Sequence, residues 1–387
     1  MTNIPITKPI FGPEEEAAVI AVLRSGWVVQ GKYVAEFERK FAAYTGSPYA
    51  ATTSNCTTAL HISVAALGLK PGDEVIVPAF TWVATANVVE YMGARPVFCD
   101  IDLDTYNIDV TQIEALITPQ TVGIIPVHLF GLCADMQPIL DMAQQHNLWV
   151  VEDAACGFGA WYHGAHAGTF GDTGCFSFHP RKSITTGEGG MLTSQSADLD
   201  KLARTLRDHG ASRSDLSRHQ NKGGFLLAEY NHLGYNYRMT DLQGALGTVQ
   251  MDRADGILGE RRRLAAAYDE ALADVDWLDA PIVPEGYIHG YQSYVCLFRP
   301  ETPTTANVER LHEQRNALML RLEQQGIATR QGTHAPVIVG YYAGKYDLRP
   351  EQYPNAWIAD RLSLALPLYM GMHDDEQARV IELLEQH

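Results

Sequence analysis

The chain has 387 residues, 46% hydrophobic and 19% charged, a balance that excludes a disordered chain and leaves ample material for a large core. Its formal net charge of −17 excludes a general nucleic-acid binder, although a local basic pocket could still hold an anion. No apolar run reaches membrane-spanning length, the start MTNIPITKPIFG carries no basic segment followed by an apolar one, and the six cysteines form no C-x-x-C pair. These features predict a reduced, soluble, cytoplasmic protein with no metal site and no membrane partner.

In chain order, Pro13 followed by acidic residues and apolar residues at helical spacing predicts a helix over 13–25, and 34–45 repeats the pattern. From residue 48 to about 195 short apolar runs alternate with helical stretches. The runs are 74–80, 95–102, 122–128, 148–154, 175–178 and 189–194, with helical stretches at 57–69 and 136–147 between some of them. The runs are continuous in Val and Ile rather than alternating, as strands buried on both faces read. An α/β fold with a largely parallel mixed sheet flanked by helices follows. Residues 209–232 are polar and Gly-rich, with Arg213, Arg218 and Lys222, and predict a long loop. Residues 240–274 predict one or two long helices, and 290–387 two helical stretches with short strands between. The expected division is a large α/β domain over 1–250 and a smaller α+β domain over 251–387.

The stretch 149–191, WVVEDAACGFGAWYHGAHAGTFGDTGCFSFHPRKSITTGEGGM, carries the chemistry. One apolar strand ends in Glu152-Asp153. Another ends at Ser177, and Lys182 follows in a polar, Gly-flanked turn. Ligands of open α/β sheets gather at the carboxyl ends of strands. A carboxylate and an amine delivered there by two strands can serve opposite ends of one heteroaromatic ring: the amine forms an imine with an aldehyde, and the carboxylate keeps a pyridine nitrogen protonated. Cys56 and Thr57 open a predicted helix, whose N-terminal N–H groups suit a phosphate; the alternative is a plain helix cap by Ser54 or Thr57. Asp100, Asp102 and Asp104 have calcium-loop spacing, but Thr105 stands where the loop needs Gly, so a solvated strand end is expected. His128 reads as a structural histidine more readily than as a substrate contact.

These segments, with SGWVVQGKYVAEFE, SNCTTALH, DEVIVPAFTWVATAN and GYNYRMTDLQGALG, resemble the DegT/DnrJ/EryC1/StrS sugar aminotransferases, fold-type I pyridoxal-phosphate enzymes of the aspartate aminotransferase superfamily. The resemblance spans nearly the whole chain. It implies pyridoxal 5′-phosphate held as a Schiff base by the catalytic Lys182, with Asp153 on the ring nitrogen, Trp82 on the ring face, and Ser177, Cys56 and Thr57 around the phosphate. It implies that Asn236 completes that phosphate site from across a homodimer interface. Cys156 stands where relatives carry a polar side chain near the cofactor's phenolic oxygen, and Cys56 where a small residue is usual, so the Cys56 backbone is expected to matter more than its thiol. Arg213, Lys222, Arg330 and His334 are candidate substrate contacts. The implied reaction moves an amino group from L-glutamate, releasing 2-oxoglutarate, to the keto group of a nucleotide sugar. A UDP-linked 2-acetamido-4-keto-6-deoxyhexose aminated at C4, for surface polysaccharide, is favoured; GDP- or dTDP-ketosugars and cyclitols are the alternatives. A sugar dehydratase on the same fold would carry His at the lysine position, and a non-catalytic binding protein would not need Lys182 with Asp153.

Overall fold

The computed structural model describes residues 3–212 and 228–386. Its centre is a seven-stranded sheet of β1 (Tyr49–Thr53), β2 (Glu74–Pro78), β3 (Arg95–Cys99), β4 (Thr121–Ile124), β5 (Trp149–Asp153), β8 (Thr173–Ser177) and β9 (Gly190–Ser194), in the order β1-β9-β8-β5-β4-β2-β3. Only β9 runs against the others. Two short strands, β6 (Trp161–Tyr162) and β7 (Ala165–His166), lie between β5 and β8 in the chain and pair with each other, and β6 pairs also with β11 (Tyr287–Ile288), in a separate small sheet. A third sheet joins β10 (Leu278–Asp279), β12 (Tyr294–Phe298) and β13 (Ser363–Leu366).

The continuous Val/Ile runs have the expected cause. Within β2, Val75 and Val77 enter one apolar cluster with the helix Cys56–Ala66, while Ile76 enters another with Ile139 and Ala143 of the helix Met136–His146. Helices thus cover both faces, so neighbouring residues along a strand are buried in turn and apolar runs are favoured over alternation. A further cluster packs Phe37 and Phe41 of the helix Lys32–Thr45 on Phe176 and Phe178. That helix is capped from a distance: Asp241 Oδ1 accepts from the N–H groups of Gly31 and Val34 at 2.8 and 2.9 Å. It is pinned to β1 by the buried Glu38. Against the cost of burial, Arg207 and Arg204 hold the Glu38 carboxyl down at about 2.

The first predicted helix runs Pro13–Ser25 and ends on Gly26 at φ 72°, a left-handed cap that favours glycine. Residues 240–274 form two helices, Asp241–Asp252 and Ala254–Ala271. Ile4 bridges Ile327, so the first described residues lie along the C-terminal part of the chain. One expectation is corrected: Asp100 is buried, not solvated, because its carboxylate accepts from the N–H groups of Asn355 and Ala356 at 3.0 and 2.8 Å, at the start of the helix Pro354–Leu362. No described helix is long and apolar enough to cross a membrane.

Candidate active site

Strand direction brings the site together. β1 and β8 both pair with β9 so that Thr53 and Ser177 stand opposite Gly190, and Asp153 stands opposite Cys175. The carboxyl ends of β1, β5 and β8 therefore share one edge. A Cβ at Gly190 would come within 2.4 Å of the Asn55 backbone, so only glycine lets the start of β9 pass this close to the turn after β1.

Lys182 stands in the β8–β9 connection, where its N–H donates to the His179 carbonyl at 2.8 Å. The half-buried side chain places Nζ 3.0 Å from Cys156 Sγ. Burial opposes the ammonium charge, but the Cys156 and Cys56 thiols and the Asp153 carboxylate outweigh it and raise the lysine pKa. Asp153 is buried. Oδ2 accepts from the Thr85 hydroxyl at 2.7 Å and Oδ1 from the Ala155 N–H at 3.1 Å. Burial pushes its carboxyl above the ordinary range, with Thr85, Ala155, Lys182 and His128 pulling the other way. A buried carboxylate whose direct donors are neutral suits a cationic ring N–H.

The helix Cys56–Ala66 is capped by Asn55, whose Oδ1 accepts from the Thr58 N–H at 2.9 Å. The cap is thus neither of the alternative candidates Ser54 and Thr57: an Asn side chain reaches the third helical N–H, and Thr58 Oγ1 accepts in return from the Asn55 N–H at 3.2 Å. The cap leaves the N–H groups of Cys56 and Thr57 as anion donors. The Cys56 thiol is turned inward to the Cys175 carbonyl at 3.4 Å, and burial holds its pKa well up. Ser177 Oγ accepts from the His179 N–H at 3.4 Å, and Thr57 is half-buried.

Trp82 is 61% exposed at the turn after β2, its ring centroid 6.0 Å from that of His334. The Thr81 N–H donates to the His334 carbonyl at 3.0 Å, so His334 joins this edge of the sheet. Arg330 is exposed and its backbone pairs with Ala365. Its charge, together with burial, lowers the pKa of Arg181, which places two guanidiniums in one neighbourhood. Asn236 is exposed; its backbone bridges Asp208, and the next carbonyl, of Tyr237, accepts from the Ser54 N–H at 2.8 Å. Arg213, Arg218 and Lys222 lie outside the described residues. His128 is fully buried, its Nε2 2.8 Å from Glu152 Oε2 and its Nδ1 accepting from the Ala134 N–H at 3.1 Å, so it serves the fold.

Thr85 is the residue that the sequence reading missed. Its single proton goes to Asp153 at 2.7 Å rather than to the Trp82 carbonyl at 3.2 Å, and Thr81 Oγ1 stands 3.0 Å away as a further partner. The available signal was two threonines one helical turn apart, Thr81 and Thr85, directly after a strand that ends at this edge.

A model of the DegT/DnrJ/EryC1/StrS aminotransferase family matches residues 9–385. The chain is 37% identical over 388 residues to GDP-perosamine synthase of Caulobacter vibrioides, covering 100% of this chain and 98% of that one. It is 36% identical over 380 residues to the spore coat polysaccharide biosynthesis protein SpsC of Bacillus subtilis, covering 98% and 95%. Among solved structures it is similar to the sugar aminotransferase Spr1654 of Streptococcus pneumoniae in its PMP form, with a TM-score of 0.91 at 28% identity over 99% of this chain and 98% of that one. The PLP form of the same protein gives a TM-score of 0.90, with 28% identity over 100% and 98%. A carboxylate for a ring nitrogen, an amine for an aldehyde and a helix start for a phosphate are the donor set that pyridoxal phosphate requires. The chain belongs to the DegT/DnrJ/EryC1/StrS aminotransferase family and is a pyridoxal-phosphate-dependent sugar aminotransferase.

Proposed function

We propose that the protein moves the amino group of L-glutamate to the keto carbon of a nucleotide-linked keto-deoxysugar, most directly C4 of a UDP-linked 2-acetamido-4-keto-6-deoxyhexose, in the making of a surface polysaccharide. The observation that carries this reading is the Lys182 amine standing in the field of the buried Asp153 at the carboxyl edge of the sheet. Likeness to a spore coat polysaccharide protein supports the polysaccharide setting, and likeness to a GDP-perosamine synthase makes a GDP-linked sugar the second reading.

Pyridoxal phosphate supplies the aldehyde that takes up the amino group and the ring that accepts electrons. Lys182 Nζ carries the proton away from the donor's Cα and returns it on the cofactor side. Asp153, fixed by Thr85 and Ala155, holds the proton on the ring nitrogen. Cys56 and Thr57 offer backbone N–H groups, and Ser177 its hydroxyl, to the phosphate. Trp82 covers one ring face, and Cys156 holds Lys182 in place before the cofactor arrives. Arg330 and His334 meet the substrate's anionic part. The test is to incubate the enzyme with glutamate and UDP-, GDP- and dTDP-linked 4-keto and 3-keto sugars and to follow 2-oxoglutarate. Preference for the UDP-linked 4-keto sugar is the expected result, preference for a GDP-linked one moves the assignment to the second reading, and no release with any ketosugar defeats both.

The site is proposed to be built from two chains, with Asn236 reaching a partner's cofactor phosphate. The alternative is service within one chain, and the Tyr237–Ser54 bond gives it a basis. Mixing Lys182→Ala with Asn236→Ala chains under subunit exchange separates them. A shared site gives one doubly defective and one intact site per hybrid, so activity rises above both parents. A site within one chain leaves every hybrid site with one defect and no rise. Asn236→Ala alone should weaken cofactor retention by roughly 1.5–3 kcal/mol, the worth of a hydrogen bond to a charged group.

A further inference from the structure

The peptide group that leads into Lys182 is held by one side chain that the reaction itself does not use. Gln292 is nine-tenths buried, and its Nε2 donates to the Arg181 carbonyl at 2.8 Å. That carbonyl belongs to the peptide group whose N–H is the one of Lys182, and the N–H donates to the His179 carbonyl at 2.8 Å. Both polar ends of the peptide plane leading into Lys182 are therefore bonded, one by the turn itself and one by Gln292.

Gln292 is in turn fixed by its own backbone. The buried Arg261, on the helix Ala254–Ala271, donates from Nε to the Tyr291 carbonyl at 2.7 Å and from Nη2 to the Gln292 carbonyl at 2.6 Å. The Gly290 N–H donates to the Gly131 carbonyl at 2.8 Å, and the Ser293 N–H to the Phe130 carbonyl at 3.2 Å. At Gly131, φ is 104°, and a Cβ there would stand 2.8 Å from the Tyr291 nitrogen, so the two backbones touch. Tyr291 itself has φ 44°, a left-handed conformation that a tyrosine keeps only when its surroundings impose it. A guanidinium buried on two backbone carbonyls is an expensive arrangement unless those carbonyls must be held. The remainder of the Lys182 turn is secured elsewhere, by Thr185 Oγ1 on the Phe178 carbonyl at 2.7 Å and by Thr186 Oγ1 on the Glu188 carbonyl at 2.6 Å. Among the described residues, Gln292 is the side chain that holds the Arg181 carbonyl.

We propose that Gln292 is a positioning residue: through the Arg181 carbonyl it orients the Arg181–Lys182 peptide and so aims the Lys182 amine at the cofactor aldehyde. This rests on Lys182 being the lysine that takes the cofactor. With the peptide plane free to tilt, Nζ at the end of a four-carbon side chain spends less time where the aldehyde arrives, while the phosphate donors at Cys56, Thr57 and Ser177 are untouched.

The test uses cofactor-free enzyme and reads the rate at which added pyridoxal phosphate becomes covalently attached, with loss of water, as the adduct fixed by borohydride and mapped to its peptide. Gln292→Met keeps the length and removes the donor. Attachment should slow by about five- to tenfold, the factor that loss of one hydrogen bond gives. In a Lys182→Ala background the same change should leave non-covalent pyridoxal phosphate affinity as it was, which a general loosening of the fold would not. Gln292→Glu keeps shape and volume but sets an acceptor against the carbonyl; it should slow attachment at least as much and answers the question if the Met variant does not fold. Attachment at the wild-type rate in either folded variant overturns the proposal, as does an equal loss of affinity in the Lys182→Ala background. An absence of any adduct on the Lys182 peptide of the wild type instead defeats the assignment of Lys182.

Discussion

Lys182→Ala is expected to abolish multiple turnover while leaving the protein folded. The side chain is half-buried, and among the described residues its direct polar contact is Cys156 Sγ at 3.0 Å, so little packing is lost. Truncation removes a charge whose burial is more than offset by Cys156, Cys56 and Asp153, so a small loss of stability is expected with the fold kept. The chemistry loses two things at once: the amine that takes the cofactor covalently, and the base that moves the proton at the donor's Cα. A positioned acid–base group alone is worth about 10²–10⁴-fold, and the covalent attachment adds to that, so turnover should fall by at least about 10⁴-fold. The measurements are 2-oxoglutarate release over many turnovers and thermal unfolding of the cofactor-free protein. Multiple turnover within about tenfold of wild type would end the assignment. Cys156 does not stand in for the lysine, because it lacks the four-carbon reach and forms no imine.

The fold was legible because its strands are buried on two faces: the runs that include Glu74–Pro78, Trp149–Asp153 and Gly190–Ser194 carry consecutive apolar residues (75–77, 149–151, 191–192) rather than alternating ones, a pattern that helices covering both sides of a sheet favour. The two-residue strands β6, β7 and β11 were not legible, since each is too short to carry a period and β11 joins β6 across more than a hundred residues. The same distinction holds at the site. Asp153 and Lys182 end or follow strong strands, so strand direction alone brings them to one edge. Thr85 acts through a bond to a residue 68 positions away, and Gln292 through one to a residue 111 positions away. Nothing local marks Gln292, and the local trace of Thr85, a second threonine at Thr81 one helical turn earlier, does not point to Asp153. Asp100 was misread for a related reason: its exposure is decided by a helix start at residue 354, not by its place at a strand end.

Asp153→Asn is expected to lower turnover by on the order of 10²–10³-fold, the scale on which a fixed electrostatic stabiliser acts, with no matching loss of stability. The replacement is nearly isosteric. The asparagine oxygen can keep the bond from the Ala155 N–H, and the Thr85 hydroxyl can turn to accept from the new amide group, so no buried polar atom is left without a partner. What is lost is charge: an amide does not hold a proton on the ring nitrogen, and the ring accepts electrons less readily. The cofactor-free protein should respond with the opposite sign. Burial raises the pKa of Asp153 in the folded chain, so the folded state binds the proton more tightly than the unfolded one. The ionised carboxylate is then a cost to folding that develops as pH rises above the ordinary aspartate range and is complete above the raised folded value. At neutral pH the cofactor-free Asn variant should therefore be at least as stable as wild type, and that advantage should vanish as pH falls below the ordinary aspartate range. Thermal unfolding of both proteins across pH, alongside turnover of the loaded enzymes, gives the comparison. Near-normal turnover would remove Asp153 from the ring nitrogen. A variant that loses stability in step with activity would show that the carboxylate holds the fold rather than the cofactor.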